Sequence, residues 1–473
     1  WLLLPSFNWI CVLMIVPAWL SNAVKPPAAS IVTRSSNGVS GESARRRTAS
    51  RSPGRRKASR SPARARSRSR PKTKLKVPDV FEGPWQVSHF LGFLFLAISL
   101  PPVAIVVGTA TLWYFIDPIT GRVCGLFSKL LSKIGSKMTR NEVDGFMFPV
   151  LLLQGVFIPA LFFWAYTDHM ANNKELNLWY AFGYQLLRIG PYFTSFAYAY
   201  TLCHKEGHNQ KIGLWKKPYS YALSHAWNWW IGVFYGVMPS SFAYGHSQNH
   251  HTYNNDEDDT VTTWDRPRDS FLNYVRYLPR WCLYHVNIST YIQFSKEGKY
   301  DIANKVVGGT LFYASIFGFF FYQSPVFAVA YLGYPLIEAC LLLSAINWSW
   351  HSFLDPDTTN IYAYSVTIFD GEENTNILNE DYHVVHHQYP GAHWTKHPAL
   401  FEKHKQDYIN NKATCFRQTH AMEIFFFAIL KKYDLFADKF VDLSGEMSRD
   451  EIEALIKTRL RTCSWGTYEN KVK

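Results

Sequence analysis

Apolar positions in this 473-residue chain gather into long runs. FMFPVLLLQGVFIPALFFWAY (146–166) and LNLWYAFGYQLLRIGPYFTSFAYAYTLC (176–203) flank a short polar loop. GGTLFYASIFGFFFYQSPVFAVAYLGYPLIEACLLLSAI (308–346) is long enough for two spans with a turn near Gln323-Ser324-Pro325. A membrane-crossing helix needs about 20 apolar residues, so these runs predict two transmembrane helical hairpins, 146–203 and 308–346. SHFLGFLFLAISLPPVAIVVGTATLWYFI (88–116) is a further membrane element, interrupted by Pro101-Pro102. The aromatic run AWNWWIGVFYGVMPSSFAY (226–244) predicts a helix at the membrane surface, because Trp and Tyr favour the headgroup level. Ser448-Arg449-Asp450-Glu451 is a capping-box pattern ahead of a helical face made by Ile452, Leu455, Ile456 and Leu460. That face predicts a helix docked on the body. The expected fold is all-α and integral to a membrane: two hairpins, a further membrane element and a cytosolic helical cap.

Charge orients these elements. Lys129, Lys133, Lys137 and Arg140 precede the first hairpin and belong on the cytosolic face by the positive-inside rule. A hairpin returns the chain to its starting face, so residues from 204 and from 347 onward are cytosolic as well. Both flanks of 88–116 then fall on one side. This predicts a re-entrant hairpin bent at Pro101-Pro102, the alternative being a single crossing.

The formal charge of +13 has one source. Residues 34–77 carry sixteen Lys/Arg and a single acid, Glu42, so the rest of the chain is close to neutral. This Ser/Arg/Pro-rich segment has no apolar residues to bury and is expected to be disordered, a basic tail beside anionic lipid. Phosphorylation, nucleic-acid contact or a transit-peptide role are the sharper alternatives for it; a nucleic-acid partner is not expected of the folded part. Residues 1–20 are apolar and read as a signal peptide or anchor. The division expected is an anchor or targeting segment (1–33), a basic tail (34–80), a membrane domain (81–435) and a polar tail with an amphipathic helix (436–473). Seven cysteines without a C-x-x-C pair argue against a disulfide framework or a thiolate metal site.

The seventeen histidines are the unusual supply. Four clusters fall where the predicted membrane elements end on the cytosolic side: HKEGH (His204, His208), HSQNHH (His246, His250, His251), NWSWH (Asn347, His351) and HVVHH (His383, His386, His387). Residues four apart share a helix face, so His204/His208, His246/His250, Asn347/His351 and His383/His387 can each aim at one point. Neutral imidazole is the commonest protein metal ligand. Nine histidines exceed the roughly four to six donors that one ion takes, so two metal ions are the economical reading. Imidazole alone does not choose the metal, but attack on a hydrocarbon with O2 needs a redox metal, and iron leads. The remaining histidines differ. His89, His169, His285, His404 and His420 are expected at solvent or interfaces, while His225, His393 and His397 lie nearer the clusters and are candidates for a supporting or substrate-contacting role.

At these residues the chain resembles the membrane fatty acid desaturase superfamily, over roughly 145–430. The likeness lies in H-x3-H, then H-x3-H-H, then H-x2-H-H far downstream. HHTYNNDEDD (250–259) is similar to that family's second box with its acidic trailer, and YHVVHHQYP (382–390) to its third. NWSWH resembles an N-x3-H element of acyl-CoA desaturases, which implies a ligand role for His351 and a water-bridged one for Asn347. HKEGH is closer to acyl-lipid desaturases. The resemblance implies two non-haem iron ions, O2 as co-substrate, a lipid substrate and a site facing the cytosol, in the endoplasmic reticulum or a plastid membrane. Electrons would come from a separate donor, cytochrome b5 or ferredoxin with its reductase, since neither H-P-G-G nor G-x-G-x-x-G occurs in the chain. Three functions follow: a lipid desaturase; a related hydroxylase or ketolase acting on a carotenoid, sterol or sphingolipid, to which HHQYPGAHW has some likeness; and a non-catalytic membrane scaffold.

Overall fold

The computed structural model describes residues 87–357, 360–369 and 377–463; the anchor and basic tail expected at 1–33 and 34–80 lie outside them. Helix α1 (Val87–Met138) is 52 residues long and runs through Pro101, Pro102 and Pro118. Here the expectation of a chain reversal at Pro101-Pro102 is corrected. Each proline removes one N–H from the ladder, but an apolar helix keeps all its other backbone bonds because no alternative partner is at hand. Its hydroxyls also turn inward: Ser99 donates to the Phe95 carbonyl and Thr109 to that of Ile105, both at 2.7 Å. One end of α1 is pressed on helix α6 (Phe271–His285), where a Cβ on Gly92 would come within 2.1 Å of the Val275 carbonyl. At its other end Met138 accepts from Lys216 N at 2.8 Å.

Among the described residues, four helical stretches are long and apolar enough to cross a membrane: Val87–Pro118, Glu142–Ala171, Tyr300–Gln323 and Pro325–Trp350. The second contains α2 (Met147–Leu152) and α3 (Ile158–Ala171), joined by a π-helical turn. The last two meet at Ser324, whose side chain accepts from Phe327 N and sits 2.8 Å from His169 Nε2. The run at 176–203, expected as one limb of a hairpin, is instead two shorter helices, α4 (Leu178–Ile189) and α5 (Thr194–His208). The break has a local cause: Gly190, Tyr192 and Phe193 all take positive φ, of 68°, 51° and 62°. Helices α7 (Ile288–Lys296), α8 (Tyr300–Gln323) and α9 (Tyr334–Trp350) follow α6.

The aromatic run 226–244 also departs from expectation. Residues 227, 228 and 231–241 are buried, and only Trp229 and Trp230 face outward. It forms a π-helix, Ala226–Ile231, continued by a helical turn at Gly232–Phe234, then a tight bend at 235–240 into the next helix, all packed into the core rather than lying as one helix on a surface. Phe162 lies at the heart of that core, meeting Phe234, Phe320 and Phe327 edge-on at centroid distances of 5.0–5.3 Å. His169 and His285 are buried, not solvent-facing; His285 Nε2 donates to the Gly236 carbonyl at 2.8 Å.

Beyond α9 the chain forms helices α10 (His383–Gln388), α11 (His397–Lys403), α12 (Ala421–Ile429) and α13 (Tyr433–Lys439), with a short parallel pair of strands, β1 (Thr367–Phe369) and β2 (Cys415–Arg417), in register Thr367↔Cys415. Helix α14 (Arg449–Arg461) has the anticipated capping box between Ser448 and Glu451. Ile452, Ile456 and Leu460 pack with Phe353, Phe416 and Phe436. Arg459 fixes the helix by reaching Asp355 at 2.6 Å and the Lys412 carbonyl.

Candidate metal centre

Helix α5 delivers His204 and His208 at its last turn. Gly207 between them lets α5 touch the next element, since a Cβ there would lie 2.8 Å from the Phe242 backbone. That next element, Ser241–His250, is a π-helix. Its wider turn changes the expected pairing: His246 pairs with His251, five residues on, at 2.9 Å between Nε2 atoms, and not with His250. His250 turns instead toward His351, which caps α9, at 3.1 Å between Nε2 atoms. Asn254 ends this element in the left-handed region, φ 47°.

The imidazoles sort into two groups. His204, His208, His246, His251 and His386 place one ring nitrogen each within 4.8 Å of one another, and His250, His351 and His387 do the same. His383 stands beside the second group, its ring 4.8 Å from that of His387 and 5.2 Å from that of His351, stacked on Trp350 at 4.1 Å. Asn347 lines the adjoining cavity, and its amide donates to Tyr277 Oη at 2.8 Å and to the Val261 carbonyl at 3.3 Å.

The backs of the rings say what the fronts need. His250 Nδ1 donates to Asp259 Oδ2 at 2.7 Å, His351 Nδ1 to the Tyr364 carbonyl at 3.1 Å, and His387 Nδ1 to Asn254 Oδ1 at 2.8 Å. With the proton on Nδ1, the Nε2 lone pairs of His250 and His351 face each other. Two facing lone pairs repel unless an electrophile lies between them. Donors bound to one ion at about 2 Å sit roughly 3 Å apart, which is the spacing seen here. Burial first, and then neighbouring imidazoles, hold His208, His246, His251, His383, His386 and His387 well below the ordinary histidine value. Burial and His250 bring His351 down to about 3. These rings are therefore neutral, the form that ligates metal. His251 Nδ1, His383 Nδ1, both nitrogens of His386 and His387 Nε2 are buried without a partner. The donor set fits a metal ion in each group.

Several supporting residues were not singled out in the sequence. Glu380 bonds His204 Nδ1 at 3.2 Å and pairs with buried Lys205. Burial would raise the Glu380 carboxyl, but Lys205 and His204 outweigh it and hold it well below the usual range. Glu206 accepts from Asn228 N at 2.7 Å and Trp227 N at 3.3 Å, tying α5 to the π-helix at 226–231. The acidic trailer after His251 was the visible signal for Asp259; Glu206, Asn254 and Glu380 had only their nearness to histidines. Of the lesser candidates, His397 is buried with its ring 6.0 Å from that of His386, His393 reaches Asp144 at 2.9 Å, and His225 is exposed.

A cavity of about 560 Å³ opens beside both groups. His204, His246, His250 and His383 form part of its wall, and most of the rest is apolar, including Val103, Val106, Phe196, Leu342 and Phe425. The family described as fatty acid desaturase matches residues 177–419, which hold all nine clustered histidines and Asn347. No curated protein and no solved structure matches the chain.

Proposed function

The chain belongs to the fatty acid desaturase family, and we propose that it is an O2-dependent membrane oxidoreductase that introduces a double bond into the acyl chain of a lipid. The observation that carries this reading is the meeting of two groups of converging imidazoles with a largely apolar cavity. One non-haem iron ion would be held by His204, His208, His246, His251 and His386, the other by His250, His351, His383 and His387, with Asn347 alongside. Bound iron supplies the redox chemistry with O2 that an unactivated methylene requires and that no side chain offers.

The chain's own residues do the rest. Asp259, Asn254 and the Tyr364 carbonyl keep the Nδ1 protons of three rings in place, so each Nε2 points inward. Glu380 does the same for His204. The apolar walls exclude water and lay a methylene chain along the histidine face. Electrons arrive from a separate carrier, cytochrome b5 or ferredoxin with its reductase. The histidine face is assigned to the cytosolic side of the endoplasmic reticulum, a plastid membrane being the other setting.

The test is expression with an electron donor, followed by lipid mass spectrometry beside a His250→Ala control. A product lighter by two hydrogens, absent from the control, is expected. A product heavier by one oxygen would move the assignment to a hydroxylase, and no change in any lipid would defeat the oxygenase reading.

A further inference from the structure

Among the apolar helices, Arg188 of α4 and Glu338 of α9 form an ion pair at 3.0 Å, both side chains fully buried. Arg188 has two further acceptors: Nε donates to the Phe234 carbonyl at 2.7 Å, and Nη1, the nitrogen that meets Glu338, also donates to Gln185 Oε1 at 2.5 Å. Arg188 Nη2 lacks a partner, but Arg188 does not line the cavity. Glu338 does line it. Its Oε2 accepts from Arg188, whereas its Oε1 is buried with no hydrogen-bond partner.

A carboxylate oxygen left unpaired in apolar surroundings is costly. A pair serving only to brace two helices is no better than apolar packing of the same volume. The free oxygen is therefore an acceptor on offer to whatever enters the cavity. Its place is also informative. Glu338 and Asn347 both line the cavity, nine residues apart along α9, which at the helical rise is roughly 13 Å. Glu338 thus stands at the end remote from the histidines, where a chain lying against them would finish.

We propose that Glu338 recognises a hydrogen-bond donor, a hydroxyl, carried by the substrate chain at its end remote from the histidines. The cavity then selects an acyl chain that is polar at its far end over a plain hydrocarbon. This rests on reading the cavity as the site of the acyl chain. The rule is geometric: a methyl terminus leaves Oε1 unpaired, and so does an ether, which accepts but cannot donate. A site built to bond a hydroxyl discriminates strongly against analogues that lack it.

The test needs binding, not turnover. Full-length protein in detergent is titrated with hexadecanoic acid, its ω-hydroxy analogue and its ω-methoxy analogue, read by displacement of a fluorescent fatty acid. The ω-hydroxy chain should bind about tenfold or more tighter than either of the others. Glu338→Gln keeps the size and the bond to Arg188 but sets an NH2 group where the acceptor was. It should bring the ω-methoxy chain to within about threefold of the ω-hydroxy chain, since both can accept from an amide. Equal binding of all three chains by the wild type, as when a water already satisfies Oε1, overturns the proposal; so does a preference that Glu338→Gln leaves unchanged. No binding of any chain overturns the cavity assignment along with it. Discrimination without any desaturated product would leave this proposal standing and defeat only the reaction proposed above.

Discussion

The two histidine groups are oriented by different means. In the group of His250, His351 and His387 every Nδ1 is tied from behind, by Asp259, the Tyr364 carbonyl and Asn254. In the group of five, His204 is tied to Glu380, while His251 Nδ1 and both nitrogens of His386 have no partner. There the rings hold one another: His208 meets His204, His246, His251 and His386 edge-on at centroid distances of 4.6–5.2 Å. Few donors need individual bracing, whereas a surplus of donors orders itself by crowding. The smaller group should therefore be sensitive to the loss of any one ring or brace, and the larger group tolerant.

The largest effect expected is from His387→Ala, which takes one of the braced donors; turnover in the lipid assay should fall to background. Next is Asp259→Ala. It removes the brace of His250 and the acceptor for Asn255 N and Val261 N. Metal affinity should drop roughly tenfold to a hundredfold, measured by competition with a chelator. His251→Ala should cost less, under about tenfold, because four nitrogens of its group remain. If His251→Ala hurts as much as Asp259→Ala, the contrast between the groups is wrong. Ser448→Ala, remote from the centre, should lower stability by about 1 kcal/mol through loss of the α14 cap. Its thermal unfolding should shift with metal affinity unchanged.

Much of this was legible in the chain. The spacing in HKEGH sits on a regular α-helix, so its two histidines meet as four-residue spacing requires. HSQNHH misled because nothing in its pattern announces a π-helix, and the wider turn moved His246 from His250 to His251. Prolines at 101 and 102 looked like a bend, yet the helix passes through them, since backbone bonding in apolar surroundings outweighs two lost donors. The tryptophan-rich run read as a membrane-surface helix because its composition was right, but its backbone is packed into the core. Arg188 and Glu338 were each visible as a lone charge in an apolar run. Their partnership spans 150 residues of sequence, and only the packed helices bring them together.

Elemental analysis of the purified full-length protein, beside His351→Ala, bears most directly on the central claim. Two independent groups predict about two irons per chain in the wild type and about one in the variant, with the five-histidine group still loaded. Iron well below one per chain in the wild type, or a content that His351→Ala leaves unchanged, would contradict it.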